Sequence, residues 1–315
     1  MESSYIQRLY SAYQRVPEPL KKCIRPLAQS ARGTLRRQFL SEEQLRFWDE
    51  SGYLILDRFF TKHRVAQING IVDYLWQNKA DEPHMPYMAE VYLRTPKARR
   101  QLMRGLEDDA RNQLYKLYDL YLEFPVLRDF VLDRVLSDIL KTLFNGDPVI
   151  SGTINFEWGS EQEFHFDDFY MQPAVNGEVL TTWIALEDIT PKSGPLKLLP
   201  KSHKIPPHRV DATASDEKLL SRTKYFEEQV GMQDLEEITF NAKQGDVLIL
   251  HERLLHGGAQ RPKCSNSTCK CLVTHYWRSE DLHPAIIRCD RPGTNYLFRP
   301  PHPATHRFNL NEGRK

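Results

Sequence analysis

Long hydrophobic runs are missing from this 315-residue chain. No window approaches the roughly 18 to 20 consecutive apolar residues that a membrane-spanning helix requires. The first ten residues, Met1 to Tyr10, have polar residues interspersed throughout and lack the apolar segment of a secretory signal. Cysteine is scarce and odd in number, with five residues, which fits reduced thiols in a cytoplasm better than a disulfide framework. Net charge is nearly absent as well, since 43 Lys and Arg face 42 Asp and Glu. A nucleic-acid binder with a basic surface works by releasing counterions from many phosphate contacts, and a balance of +1 argues against one. What is present is a 40% hydrophobic chain that can bury a sizeable core, which excludes disorder and coiled coil. The composition predicts a cytoplasmic globular protein with no membrane span and no nucleic-acid partner.

The neutrality conceals an asymmetry. Residues 1–40 hold eight basic side chains against two acids, a local charge of +6, and the remaining 275 residues carry −5. Within that leader, residues 5–37 read as interrupted helix, with Tyr5, Leu9 and Tyr13 at helical spacing and breaks at Pro17 and Pro19. Such a segment is either a solvated basic helix pair or a surface that meets an anionic partner, a carrier protein or lipid headgroups.

The body opens with a cleaner signal. Ser41-Glu42-Glu43-Gln44 has the form of a capping box, Gly52 closes the helix, and Tyr53 to Asp57 reads as a strand. A second helix carries Val65, Ile68, Ile71, Val72 and Leu75. Residues 98–143 read as mostly helical, with Leu117, Leu120, Leu122, Phe130, Leu132, Val135 and Leu140 as the buried stripe. From about residue 148 the pattern turns to short strands: Val149 to Phe156, Glu163 to Tyr170, Val179 to Ile189, Leu196 to Leu199, Asp246 to Leu250 and Cys271 to Trp277. Strands at this spacing, bounded by Gly, Pro and Asp turns, predict an all-β sandwich or barrel supported by N-terminal helices, an α+β chain with a mainly β core.

The chemistry concentrates in two places. In Glu163-Phe164-His165-Phe166-Asp167, strand alternation would put His165 and Asp167 on one face, where they can hold neighbouring sites on one metal ion. His-x-Asp is common by chance, and a third ligand is needed. It stands in Leu255-His256-Gly257-Gly258, whose glycines let backbone approach where side chains would block. Two imidazoles and one carboxylate on one octahedral face leave open positions, the arrangement that suits non-haem Fe(II) activating oxygen.

With Trp183 to Ile189 and Ser193 to His203, these runs resemble the phytanoyl-CoA dioxygenase family over roughly residues 41–290. The resemblance implies a double-stranded β-helix, a cupin-like jelly roll, using Fe(II), 2-oxoglutarate and O2. It places the metal on His165, Asp167 and His256, and it divides the chain into a basic extension (1–40), a catalytic domain (41–290) and a C-terminal tail (291–315). Related halogenases replace the ligand carboxylate with a small residue to admit halide, so Asp167 favours hydroxylation or another oxidative outcome.

The cosubstrate end departs from the family pattern. The Arg whose guanidinium fork would grip the remote carboxylate of 2-oxoglutarate is replaced by Cys269, and the Ser two residues after the distal His is replaced by Gly258. Lys116 resembles a family Lys that meets that carboxylate from the helical half, and Trp183 falls where the family has an adjoining aromatic. Lys270 and Arg253 are the other candidate anchors, although strand alternation aims Lys270 away from Cys269's face. Trp158, Phe164, Phe166, Phe169 and Tyr170 are candidates for the substrate pocket or for the core. Cys264, Cys269 and Cys271 lack the second well-spaced pair of a structural zinc site, and His203, His251 and His275 read as structural or supporting histidines.

The expected activity is therefore oxidation, chiefly hydroxylation, of a small-molecule, acyl-thioester or carrier-bound substrate, with release of succinate and CO2. The rival readings are a Zn(II) hydrolase or isomerase on the same His/Asp/His set, and a binding protein that kept the jelly roll and lost catalysis.

Overall fold

The computed structural model describes residues 39–79, 88–92, 99–167, 178–206, 224–225, 228–233, 235–262 and 265–298. The basic leader, Asp168 to Tyr170 and Cys264 lie outside the described residues. Helix α1 (Glu42–Ser51) begins on the expected capping box, in which Ser41 Oγ accepts from Gln44 N and Gln44 Oε1 accepts from Ser41 N, and it ends at Gly52 in the left-handed conformation. Strand β1 (Tyr53–Leu56) follows, then helix α2 (Lys62–Gln77), which buries Val65, Ile68 and Leu75.

The next stretch corrects the helical expectation for residues 98–143. It holds β2 (Met88–Tyr92), β3 (Arg99–Leu102) and β4 (Leu114–Tyr118) before the helices α3 (Pro125–Val131) and α4 (Arg134–Phe144). In β4 the burial alternates with period two, Tyr115 and Leu117 buried and Leu114, Lys116 and Tyr118 half-buried. Leu117 and Leu120 look like helical neighbours in sequence because the strand runs directly into a short 3-10 turn over Leu120–Leu122. Val135, expected in the buried stripe, is 44% exposed on the outer face of α4.

The remaining strands are β5 (Pro148–Phe156), β6 (Val179–Ala185), β7 (Leu196–Leu198), β8 (Ile238–Phe240), β9 (Val247–His251), β10 (His256–Gly258), β11 (Cys271–Arg278), β12 (Ile287–Cys289) and β13 (Asn295–Leu297). Among the described residues they form a large sheet in the order β1-β9-β6-β11-β5-β4-β2-β3 and a small one, β10-β7-β8. β13 returns to the large sheet, pairing with β12 and with β5 through Tyr296 and Ile150. Asn295–Leu297 thus pair with the large sheet although they fall within the 291–315 segment.

Strand alternation sorts the core. Leu180, Ile184, Val247, Ile249, Leu272 and Tyr276 pack with the helices, and Trp183, Leu248, Leu250, Cys269 and Cys271 pack with Leu196, Leu198 and Phe240 between the two sheets. One irregularity interrupts the pairing. The register between β11 and β5 slips at His275/Tyr276, which pair with Gly152 and Ile150 and leave Ser151 unpaired. The extra residue is on β5, while β11 stays in unbroken register with β6, so plain alternation turns Cys271, Val273 and His275 to the inter-sheet space and Leu272 and Tyr276 to the helices.

Candidate active site

The inter-sheet space opens into a cavity of about 580 Å³ lined by His165, Asp167 and His256 at one end. Of the segment expected as a strand over residues 163–170, the described residues 163–167 pair at one bridge, His165 to His256, through His165 N to His256 O at 2.9 Å and His256 N to His165 O at 3.1 Å. That bridge lays one imidazole against the other, with ring centroids 4.4 Å apart. In both rings Nδ1 lies at hydrogen-bond distance from a backbone carbonyl two residues back, Glu163 O at 2.8 Å and Leu254 O at 3.0 Å. A carbonyl only accepts, so each Nδ1 carries the proton and each Nε2 keeps its lone pair for a metal.

Asp167 completes the set. Its Oδ1 lies 4.0 Å from His165 Nε2, 3.6 Å from His256 Nε2 and 3.7 Å from His275 Nε2, and its Oδ2 accepts from Thr181 Oγ at 2.5 Å. Burial pushes the Asp167 carboxyl up, but the surrounding imidazoles of His256, His275 and His165 hold it below the usual carboxylate range. His165 is lowered to about 4 by burial and by His256 beside it. The ligand atoms of His165, Asp167 and His256 all lie within 4.8 Å of one another. Two neutral imidazoles, an ionised carboxylate and adjoining open space fit a divalent iron.

The other end of the cavity carries the cosubstrate question. Lys116 is on β4, a strand rather than the helical half. It lies opposite Phe156 of β5, which lies opposite Cys271 of β11. Its Nζ sits 5.7 Å from the centroid of the Phe156 ring. Lys116, Phe156, Trp183, Cys269 and Cys271 all line the cavity. Trp183 is fixed edge-on by Phe240, with centroids 5.7 Å apart. Burial, with the Cys269 thiol alongside, pushes the Cys271 thiol well above its ordinary value, so this wall carries no thiolate from Cys271.

Two expected anchors are placed elsewhere. Lys270 lies on the reverse face and pairs with Glu157 at 3.3 Å, beside Arg111, which holds the same carboxylate at 2.9 and 3.0 Å. Arg253 donates through Nη2 to Ile205 O. Phe166, a candidate for the substrate pocket or the core, is buried against Leu199, Ile205 and Leu255, and Trp158 donates to Arg111 O at 2.6 Å. Phe164 is 37% exposed, with Lys197 Nζ 5.7 Å from its ring centroid. His203 and His251 stack outside the cavity, 5.1 Å apart, and burial with His203 and Arg253 nearby lowers His251 to about 4.

Sequence reasoning did not single out Thr181 and treated His275 only as a supporting histidine. Thr181 is two residues before Trp183 on the same strand and was legible by parity alone. His275 is also cross-strand partner of Thr181. Its cavity-facing position follows by parity from Cys271 and Val273 on the same strand, which also line the cavity.

A sequence model of the phytanoyl-CoA dioxygenase family matches residues 48–262. The chain belongs to the phytanoyl-CoA dioxygenase family. It is a non-haem iron enzyme with 2-oxoglutarate and O2 as cosubstrates, and the match falls inside the catalytic body expected from its motifs. Ectoine dioxygenase of Sphingopyxis alaskensis is 23% identical over 269 residues, covering 80% of each chain. The peroxisomal phytanoyl-CoA dioxygenase of Rattus norvegicus is 23% identical over 258 residues, covering 78% of this chain and 71% of the other. Among solved structures, the non-heme alpha ketoglutarate dependent carbocyclase SnoK from nogalamycin biosynthesis aligns with a TM-score of 0.57 at 19% identity, over 76% of this chain and 85% of that one. EctD from S. alaskensis with 2-oxoglutarate and 5-hydroxyectoine aligns at 0.55 and 16% identity, over 77% of both. These last two establish the fold, which is the double-stranded β-helix expected. No helix among the described residues is long and apolar enough to cross a membrane.

Proposed function

We propose that this enzyme hydroxylates a small molecule or an acyl thioester, with iron on His165, Asp167 and His256 and the remote carboxylate of 2-oxoglutarate on Lys116. The observation that carries the reading is the carboxylate of Asp167, hydrogen-bonded by Thr181 and seated against both ligand histidines. A small residue there would leave room for halide, and Asp167 occupies that position. Bound iron with 2-oxoglutarate and O2 supplies an oxidant able to take hydrogen from an unactivated carbon. The chain's contribution is geometric and electrostatic: it fixes the two imidazole tautomers, keeps Asp167 ionised, and places one ammonium at the far end of the cavity.

The names of the relatives frame the substrate class, a compact solute in ectoine dioxygenase and a coenzyme A thioester in phytanoyl-CoA dioxygenase. A thioester, on coenzyme A or on a carrier protein, suits the +6 charge of residues 1–40. The test is anaerobic assembly with Fe(II) and 2-oxoglutarate, then O2 with panels of free and thioester-linked acids. Succinate formation coupled one-to-one to a product with one added oxygen atom is expected. A coupled product that is desaturated, cyclised or epimerised would overturn hydroxylation while leaving the cofactor set intact. No Fe(II) binding at all would favour the binding-protein alternative. For the carrier, deletion of residues 1–38 is expected to weaken carrier-bound substrate, and unchanged affinity would sink that part.

A further inference from the structure

The wall beyond His256 has no side chain at Gly258. A Cβ built on Gly258 would sit 2.3 Å from Ser160 Oγ and 2.9 Å from Glu161 N. The hydroxyl of Ser160 therefore occupies the space that a side chain at position 258 would claim. The chain is curled to put it there: Gly159 and Glu161 on either side of Ser160 have φ of 76° and 46°, and Glu161 is held by Arg261 Nε at 3.3 Å. Gly258 N donates to Gln162 O at 2.8 Å, which pins the loop to β10.

Ser160 lines the cavity together with Gly159, Gly258 and Cys269, and a Cβ on Gly159 would lie 3.4 Å from the Cys269 Cβ. Gly258 is two residues, about 7 Å, along β10 from His256, a separation that a five-carbon diacid spans. At that end the thiol of Cys271 is a weak donor, and a carboxylate there has two oxygens to satisfy. Lys116 supplies one charged donor. Ser160 Oγ accepts weakly from Gln162 N at 3.4 Å, which leaves its own proton to donate.

We propose that the Ser160 hydroxyl donates to the remote carboxylate of the 2-oxo acid, so that recognition of that group is shared between Ser160 and Lys116. The proposal rests on the cosubstrate placement given under the proposed function. Its test separates the two by comparing 2-oxoglutarate with 2-oxovalerate, which has the same carbon chain and a methyl in place of the remote carboxylate. Binding of each is measured by calorimetry on the full chain loaded with Mn(II), without turnover. The unchanged protein is expected to prefer 2-oxoglutarate. Ser160→Ala is expected to lose roughly tenfold in 2-oxoglutarate affinity, as for a hydrogen bond to a charged group, with 2-oxovalerate and Mn(II) affinity unchanged. If Ser160→Ala weakens both acids equally, or neither, the hydroxyl contact is overturned while the placement stands. An unchanged protein that binds the two acids alike overturns the placement on Lys116 and the Ser160 contact with it. The 2-oxovalerate measurement also guards against a variant that has merely lost its fold.

Discussion

Lys116 and Lys270 carry the same charge on neighbouring parts of one sheet, and a single alternation separates their roles. Lys116 projects over Phe156 into the cavity, whereas Lys270 pairs with Glu157 on the opposite face. Lys116→Ala is expected to raise the 2-oxoglutarate Kd at least tenfold with metal affinity intact, and Lys270→Ala to leave both unchanged. Calorimetry on the two variants checks this, and a reversed order would refute the assignment. Glu157 is the residue that makes Lys270 structural. Burial pushes its carboxyl up, yet hydrogen bonds from Arg111 and Tyr115, with Lys270 nearby, hold it below the ordinary value of 4.5. A carboxyl depressed on folding contributes stability that is complete above its unfolded pKa and disappears as pH falls through its folded one. Glu157→Gln is accordingly expected to lose roughly 3 kcal/mol at pH 7. The difference from the unchanged protein should shrink as the pH falls below 4.5, measured by urea unfolding across pH. A difference that stays constant with pH would contradict it.

Among the elements, the turn into β9 is the most exacting. Gly245 has φ of 90°, and a Cβ there would lie 2.1 Å from Phe60 O, the partner segment that also donates Phe60 N to Gly245 O. Gly245→Ala is expected to destabilise by more than about 2 kcal/mol, with a lower urea midpoint and an unchanged slope. An unaltered midpoint would mean that the turn can open without disturbing β9. The elements differ in how plainly the residues announce them. α1 is written locally, in Ser41, Gln44 and Gly52, and so are β9 and β11, whose bounds fall within one residue of their apolar runs, while β6 stops at Ala185, four residues short of the expected end. β4 is not, because Leu117 to Leu122 join a strand and a 3-10 turn into one apparent helical stripe. The metal ligands were legible because each sits in a short motif. The facing of Thr181, Lys270 and His275 followed from strand parity, whereas the partners that meet them, Glu157 for Lys270 and β5 beside Lys116, depend on pairing between distant parts of the chain.

For the whole molecule, the two ends of the cavity should be loaded in order. In the proposed reading iron is held by His165, Asp167 and His256 alone, while the 2-oxo acid is held by both the iron and the Lys116 end. Each ligand that binds only the folded protein raises its stability by about 2.7 kcal/mol at a hundred times its Kd. That corresponds to an increase in Tm of several degrees for a chain of this size. In the unchanged protein, Mn(II) is expected to give one increment and 2-oxoglutarate a second one that appears only when Mn(II) is present. Asp167→Ala is expected to abolish both, since the ligand set is broken and the acid loses its inner anchor. Lys116→Ala is expected to keep the first increment and lose most of the second. Differential scanning calorimetry across the three proteins distinguishes these patterns. A 2-oxoglutarate increment that survives in Asp167→Ala would place the acid outside the metal centre, and the cavity would then have to be divided differently between cosubstrate and substrate.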